Sequence, residues 1–135
     1  MPHVSGFTSP VREHMQVPVR TVRESTSAAE VDEVLRSFGI SAVPVVDAAE
    51  CMVGVVGRTD LLRVGRVRPM NGSSRRALNL PKAPARELMT ATVEVVTPET
   101  SLAEAARRMV RQHLHRLFVA QDRRALGVKI GRAHV

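Results

Sequence analysis

Few residues in this 135-residue chain stand where they could carry chemistry. Asp60 lies three residues after Gly57, where the apolar run Met52–Val56 gives way to a short helical pattern over Thr59–Val64. By position alone it reads as an acidic cap near the start of that helix. His115 and Arg116 stand side by side just before the apolar Leu117–Ala120, a place where surface residues commonly follow a helix. No Ser/His/Asp spacing, no glycine-rich phosphate loop and no paired carboxylates with an acid–base partner accompany them, so a catalytic role is not expected. Cys51 is the lone cysteine and has no CxxC or histidine partner spacing, which leaves neither a disulfide, a redox motif nor a zinc site. The role expected of it is that of a small buried apolar residue.

The net charge of +7 is concentrated. Seven basic residues (Arg63, Arg66, Arg68, Arg75, Arg76, Lys82 and Arg86) and no acid lie between Leu61 and Arg86, while the rest of the chain is nearly balanced. Such a segment raises nucleic acid as an alternative partner. It holds no aromatic residue on which a base could stack and no helix-turn-helix pattern, so a solvated connector is the main expectation. No apolar run is long enough to span a membrane and Met1–Pro10 lacks an apolar core, which points to a cytoplasmic protein. Arginine outnumbers lysine 18 to 2, a bias that suggests a GC-rich bacterial gene. With no Trp, no Tyr and three Phe, the core must be built from Val, Leu, Ala and Met.

The elements that must position these residues come in duplicate. Setting Arg12–Ala48 against Arg86–Asp122 at an offset of 74 matches Arg12/Arg86, Glu13/Glu87, Met15/Met89, Val19/Val93, Val22/Val96, Thr26/Thr100, Ser27/Ser101, Ala29/Ala103 and Glu30/Glu104 without a gap. Val19–Val22 and Val93–Val96 read as short strands. Ser27-Ala-Ala-Glu30 and Ser101-Leu-Ala-Glu104 have the form of capping boxes, in which hydroxyl and carboxylate each satisfy an orphan backbone N–H. The helices that follow should bury Val31, Val34, Leu35 and Phe38 in the first copy, and Leu102, Ala105, Ala106, Met109 and Val110 in the second. Gly39 suits a left-handed helix terminator, and His113 at the matching place is a poorer one. Strands at Ala42–Val46 and Met52–Val56 and the helix Thr59–Val64 complete the order strand, helix, strand, strand, helix. A unit of this size buries only roughly 60% of its chain surface and is marginal alone, so the two copies are expected to pack together.

The chain thus divides into a tail over 1–10, a first repeat over 11–64, a basic linker over 65–84 and a second repeat over 85–128. Copy one reads Val11-Arg-Glu-His-Met15, Gly39-Ile-Ser-Ala-Val-Pro-Val-Val-Asp47 and Gly54-Val-Val-Gly-Arg-Thr-Asp-Leu-Leu62; copy two reads Ala85-Arg-Glu-Leu-Met-Thr90 and Leu114-His-Arg-Leu-Phe-Val119. In these linked motifs the chain resembles the CBS-domain family. The resemblance implies an α+β fold in which tandem CBS repeats stack as a pseudo-twofold pair, the Bateman module. It implies a regulatory function, with an adenine nucleotide (AMP, ADP or ATP) or S-adenosylmethionine held between the copies. No cofactor is required, and a homodimer is the expected assembly.

On that resemblance Gly57, Arg58, Thr59 and Asp60 fall on the family's ligand motif, with Asp60 accepting from both ribose hydroxyls. Phosphate would meet His115 and Arg116. Adenine would lie against Thr21, Val22, Ala42, Val43 and Pro44, although Thr21 and Pro44 also serve simply to shape backbone. Two departures bear on the site: Gly57 replaces a Thr or Ser of the family pattern, removing one hydroxyl donor, and Phe118 replaces the proline that Pro44 represents in copy one. A third lies at the end. Gly127 aligns with Gly54, but no aspartate follows Val128, so the second repeat is expected to be truncated. Ile130–Val135 reads back as ATC GGA AGA GCA CAC GTC, one frame of a common sequencing adapter, and Lys129–Val135 is expected to be a non-native tail. Alternatives to a ligand sensor are a nucleic-acid-binding protein acting through the basic linker and a ligand-free dimerisation module.

Overall fold

A computed structural model describes residues 8–17, 19–69, 76–91, 94–114 and 116–130. The chain forms two compact units, one of Arg20–Val93 and one of Met1–Val19 with Glu94–Val135, each built on a three-stranded sheet in a mixed α+β arrangement.

In the unit Arg20–Val93, strand β1 (Val22–Arg23) leads to helix α1 (Ala28–Ser37), strands β2 (Ala42–Val46) and β3 (Met52–Gly57), and helix α2 (Arg58–Val64). β2 lies in the centre of the sheet, parallel to β1 and antiparallel to β3. The capping box forms in full: the Glu30 N–H donates to Ser27 Oγ at 3.2 Å and the Ser27 N–H donates to Glu30 Oε1 at 3.1 Å. Val31 and Leu35 are fully buried, and they meet Val22, Val43, Val45, Val56 and Leu61 in one core. Phe38 departs from the expected stripe. It is 48% exposed, and the Arg20 guanidinium lies 3.9 Å from its ring centre, so the ring is covered by a cation instead of the core. Gly39 does take the left-handed conformation, at φ 62°. Cys51 is half-buried, not a core residue; its N–H donates to Asp47 Oδ1 in the turn between β2 and β3.

Beyond α2, strands β4 (Arg66–Pro69) and β5 (Arg76–Asn79) pair antiparallel, with Arg66 opposite Asn79 and Pro69 opposite Arg76. Part of the supposed connector is therefore a hairpin. Its physical basis is the backbone pairing of Arg66–Pro69 with Arg76–Asn79; Asn71-Gly72, read from the sequence as part of an exposed connector, lies outside the described residues. Short helix α3 (Ala85–Leu88) follows.

The other unit repeats the plan with β6 (Val95–Val96), α4 (Leu102–Arg111), β7 (Arg116–Gln121) and β8 (Arg124–Ile130), β7 again central. Ala105 and Met109 are buried with Val96, Leu117 and Val119. Ala106 is exposed and Val110 is 77% exposed, so the buried stripe of α4 is narrower than expected. Its capping box is half-formed. Ser101 Oγ accepts the Glu104 N–H at 3.1 Å, but the Glu104 carboxylate turns to Arg107 and Arg108, whose hydrogen bonds hold its pKa below the usual range. His113 adopts φ 57°, taking the terminator's conformation without being glycine. β8 runs on through Lys129 and Ile130, paired with Leu117 and Arg116.

Each unit also contains the leading segment of the other repeat. The one-turn helix Val11–Glu13 docks in the unit of the second copy, where the Val11 N–H donates to Thr100 O at 2.7 Å; in the unit of the first copy the Ala85 N–H donates to Thr26 O at 2.7 Å. Gln16 then bridges Val128 through both backbone bonds, and Thr90 bridges Val55 in the same way. The compact units thus cut the chain at different places from the repeat period. No helix among the described residues is long and apolar enough to cross a membrane.

Candidate functional site

The motif Gly54–Leu62 folds as the end of β3 turning directly into α2. Gly57 is the N-cap, and with no side chain of its own it leaves the capping work to Asp60. Asp60 Oδ2 accepts the Gly57 N–H at 2.8 Å. Its other oxygen, Oδ1, accepts from Arg63 at 2.7 Å and from the Thr90 hydroxyl at 3.2 Å. Asp60 is 7% exposed, the one buried charged side chain among the described residues. A carboxylate tolerates such burial when it is paired and hydrogen-bonded, as here. The cap expected from position is real. A carboxylate has about four acceptor positions, and the three bonds leave one of them open, on Oδ2.

Register decides which neighbours share the surface around Gly57. Ala42 pairs with Gly57 and Pro44 with Val55, so these four lie on one face of the sheet. Val43 and Val45 lie on the opposite face with Val56, inside the core, and Val22 joins them through its pairing with Val45. Of the residues expected to form an apolar wall, Thr21, Val22, Ala42, Val43 and Pro44, the side chains of Val22 and Val43 turn into the core. Thr21 is exposed, Ala42 half-buried and Pro44 buried. Arg58 and Thr59 are exposed on the first turn of α2. A Cβ added at Gly57 would stand 3.2 Å from Ser41 O and 3.6 Å from Ala42 Cβ, a close but small space.

His115 lies outside the described residues. Arg116 opens β7 in the other unit, half-buried, and burial lowers its guanidinium pKa without removing a charge that arginine always keeps. Phe118 is buried in β7 opposite Val128. Two residues that hold the Asp60 carboxylate were not singled out from sequence. Arg63 was legible in principle, one helical turn on at i+3. Thr90 was not, since 30 residues separate it from Asp60. Among the described residues no three His, Cys, Asp or Glu side chains gather into a group that could hold a metal ion.

The chain is 28% identical over 132 residues to an uncharacterized protein of Methanocaldococcus jannaschii, covering 93% of this chain and 41% of that one, so it spans about two-fifths of that relative's length. Among solved structures it matches the CBS domain of a CBS domain-containing membrane protein from Sphaerobacter thermophilus at 25% identity and TM-score 0.73, covering 94% of this chain and 86% of that one. CBSX2, solved in complex with AMP, matches at 26% identity and TM-score 0.73, with 90% of each chain covered. The CBS domain profile matches residues 11–66 and 85–128, most of the sequence and both copies of the repeat. With the motif, the duplicated sheets and the profile in agreement, this chain belongs to the CBS-domain family.

Proposed function

We propose that this chain is a regulatory, non-catalytic module that binds an adenine nucleotide or a related adenosyl ligand and passes its occupancy to a partner protein or an appended domain. The observation that carries this is the buried Asp60 carboxylate, fixed by the Gly57 N–H at the turn from β3 into α2, with one acceptor position not taken by a hydrogen bond and with Ala42 and Pro44 on the same sheet face as Gly57. It suits a ribose, which presents hydroxyl donors and gains most from an ionised acceptor. Further support comes from the AMP held by CBSX2, at 26% identity. Charge-assisted donors to a phosphate are the work proposed for His115 and Arg116, hydrogen bonding that of Arg58 and Thr59, and Thr21 packs against the base. A homodimer formed through the repeats and a cytoplasmic setting belong to the same proposal. Signalling requires only that the ligand bind one arrangement of the module more tightly than another.

Calorimetric titration of the chain with AMP, ADP, ATP and S-adenosylmethionine tests this. At least one should bind, and Asp60→Asn should weaken it by about tenfold or more, since hydrogen bonds to a charged group contribute about 1.5–3 kcal/mol. No heat from any of the four would sink the proposal. Unchanged affinity in Asp60→Asn, with the wild type binding, would remove Asp60 from the site.

A further inference from the structure

Oδ1 of Asp60 is already full. Arg63 and the Thr90 hydroxyl occupy its two acceptor positions, and the Gly57 N–H takes one of the two on Oδ2. A ribose presents a diol, two O–H donors, to a carboxylate with one position left. One existing bond must yield. The Arg63 bond joins two charged groups and is short at 2.7 Å, whereas the Thr90 bond comes from a neutral hydroxyl at 3.2 Å, so Thr90 is the partner that a diol displaces.

Thr90 is also no ordinary surface threonine. Its N–H and C=O bridge Val55 in β3 at 2.9 and 3.0 Å, and it closes the segment, begun at Ala85, by which the start of the second repeat docks on this unit before the chain runs on into the other one. We propose that Thr90 is the residue through which this site registers a ribose: the diol and the Thr90 hydroxyl compete for Asp60 Oδ1, so that occupancy withdraws a side-chain tether from the start of the second repeat. This rests on the proposal that Asp60 binds ribose. It adds two things to it, a competition that an intact diol meets and a single hydroxyl does not, and a route by which occupancy reaches the next segment.

Removing the competing hydroxyl should tighten binding. In calorimetry Thr90→Val should bind AMP about tenfold more tightly than wild type, the low end of what a hydrogen bond to a charged group contributes. For 2′-deoxy-AMP, whose single remaining hydroxyl needs only the open position, Thr90→Val and wild type should be equal. Thr90→Ser, which keeps the hydroxyl, should match wild type with both ligands. The backbone bridge to Val55 survives all these changes, and Thr90→Ala carries the same expectation as Thr90→Val should the valine perturb folding. If Thr90→Val and Thr90→Ala bind AMP no more tightly than wild type, or gain equally for the deoxy ligand, the competition does not exist. If wild type and the Thr90 variants all fail to bind AMP, the ribose site itself is overturned, and this inference with it.

Discussion

Gly57 shows how one missing side chain can be both tolerated and costly. Its φ of −119° and ψ of 175° are extended backbone open to any residue, so conformation does not demand glycine there. What is lost is a hydroxyl beside the Asp60 carboxylate. Gly57→Ser places a Cβ 3.2 Å from Ser41 O, which requires a shift of a few tenths of an ångström, and supplies a donor to the ligand while accepting the Asp60 N–H as a full cap. Nucleotide affinity should rise about fivefold by titration. A fall would show that crowding against the Ser41 carbonyl outweighs the new hydrogen bond. At the same scale, the three bonds on Asp60 mean that its role as a cap and its proposed role as a ligand acceptor use different parts of one group.

At the scale of elements, the two long helices begin alike and are secured differently. α1 has reciprocal bonds between Ser27 and Glu30, and the Ser27 hydroxyl also donates to Glu30 Oε1 at 3.1 Å. α4 keeps only the bond from the Glu104 N–H to Ser101, because three arginines within two turns draw the Glu104 carboxylate along the helix. Those pairs are surface pairs, and exchanging a cap for them gains little. Ser27→Ala and Ser101→Ala should each lower stability by about 1 kcal/mol in urea unfolding, the Ser27 change more. A larger loss at Ser101 would mean that the reciprocal half of the box contributes nothing. The identical sequence pattern Ser-x-x-Glu thus gives two electrostatic outcomes, decided by the residues three, four and seven positions after the glutamate.

For the molecule as a whole, the docking of each leading segment on the unit of the other copy is the organising feature. Two glycines permit it. A Cβ at Gly54 would stand 2.8 Å from Met89 Cγ and 3.0 Å from Thr90 O, and one at Gly127 would stand 2.8 Å from Met15 Sδ and 2.9 Å from Gln16 O. The methionines can move, but the carbonyls belong to the backbone bridges and cannot yield without breaking them. Gly54→Ala and Gly127→Ala should each cost about 1–3 kcal/mol in urea unfolding, as overpacking does. Trypsin should also cut faster after the exposed Arg86 in Gly54→Ala, because the segment it belongs to is released. Unaltered cleavage together with unaltered stability would show that the segment is held by other contacts.

The sequence by itself determined the local grammar. The period of 74, the hydroxyl–carboxylate spacing at Ser27 and Ser101, the strands at Ala42–Val46 and Met52–Val56 and the left-handed Gly39 follow from forces between near neighbours, and all of them appear in the structure. Equally legible was Asp60 at its helix start, a position set by three residues of spacing. Tertiary structure decided what depends on distant residues. Sheet register sent Val22 and Val43 into the core and left Ala42 and Pro44 beside Gly57. Chain path carried Thr90 to Asp60 and Met89 onto Gly54, across separations of 30 and 35 positions that no local pattern encodes. Side-chain periodicity can say that a residue faces inward, but only the folded chain supplies what it faces.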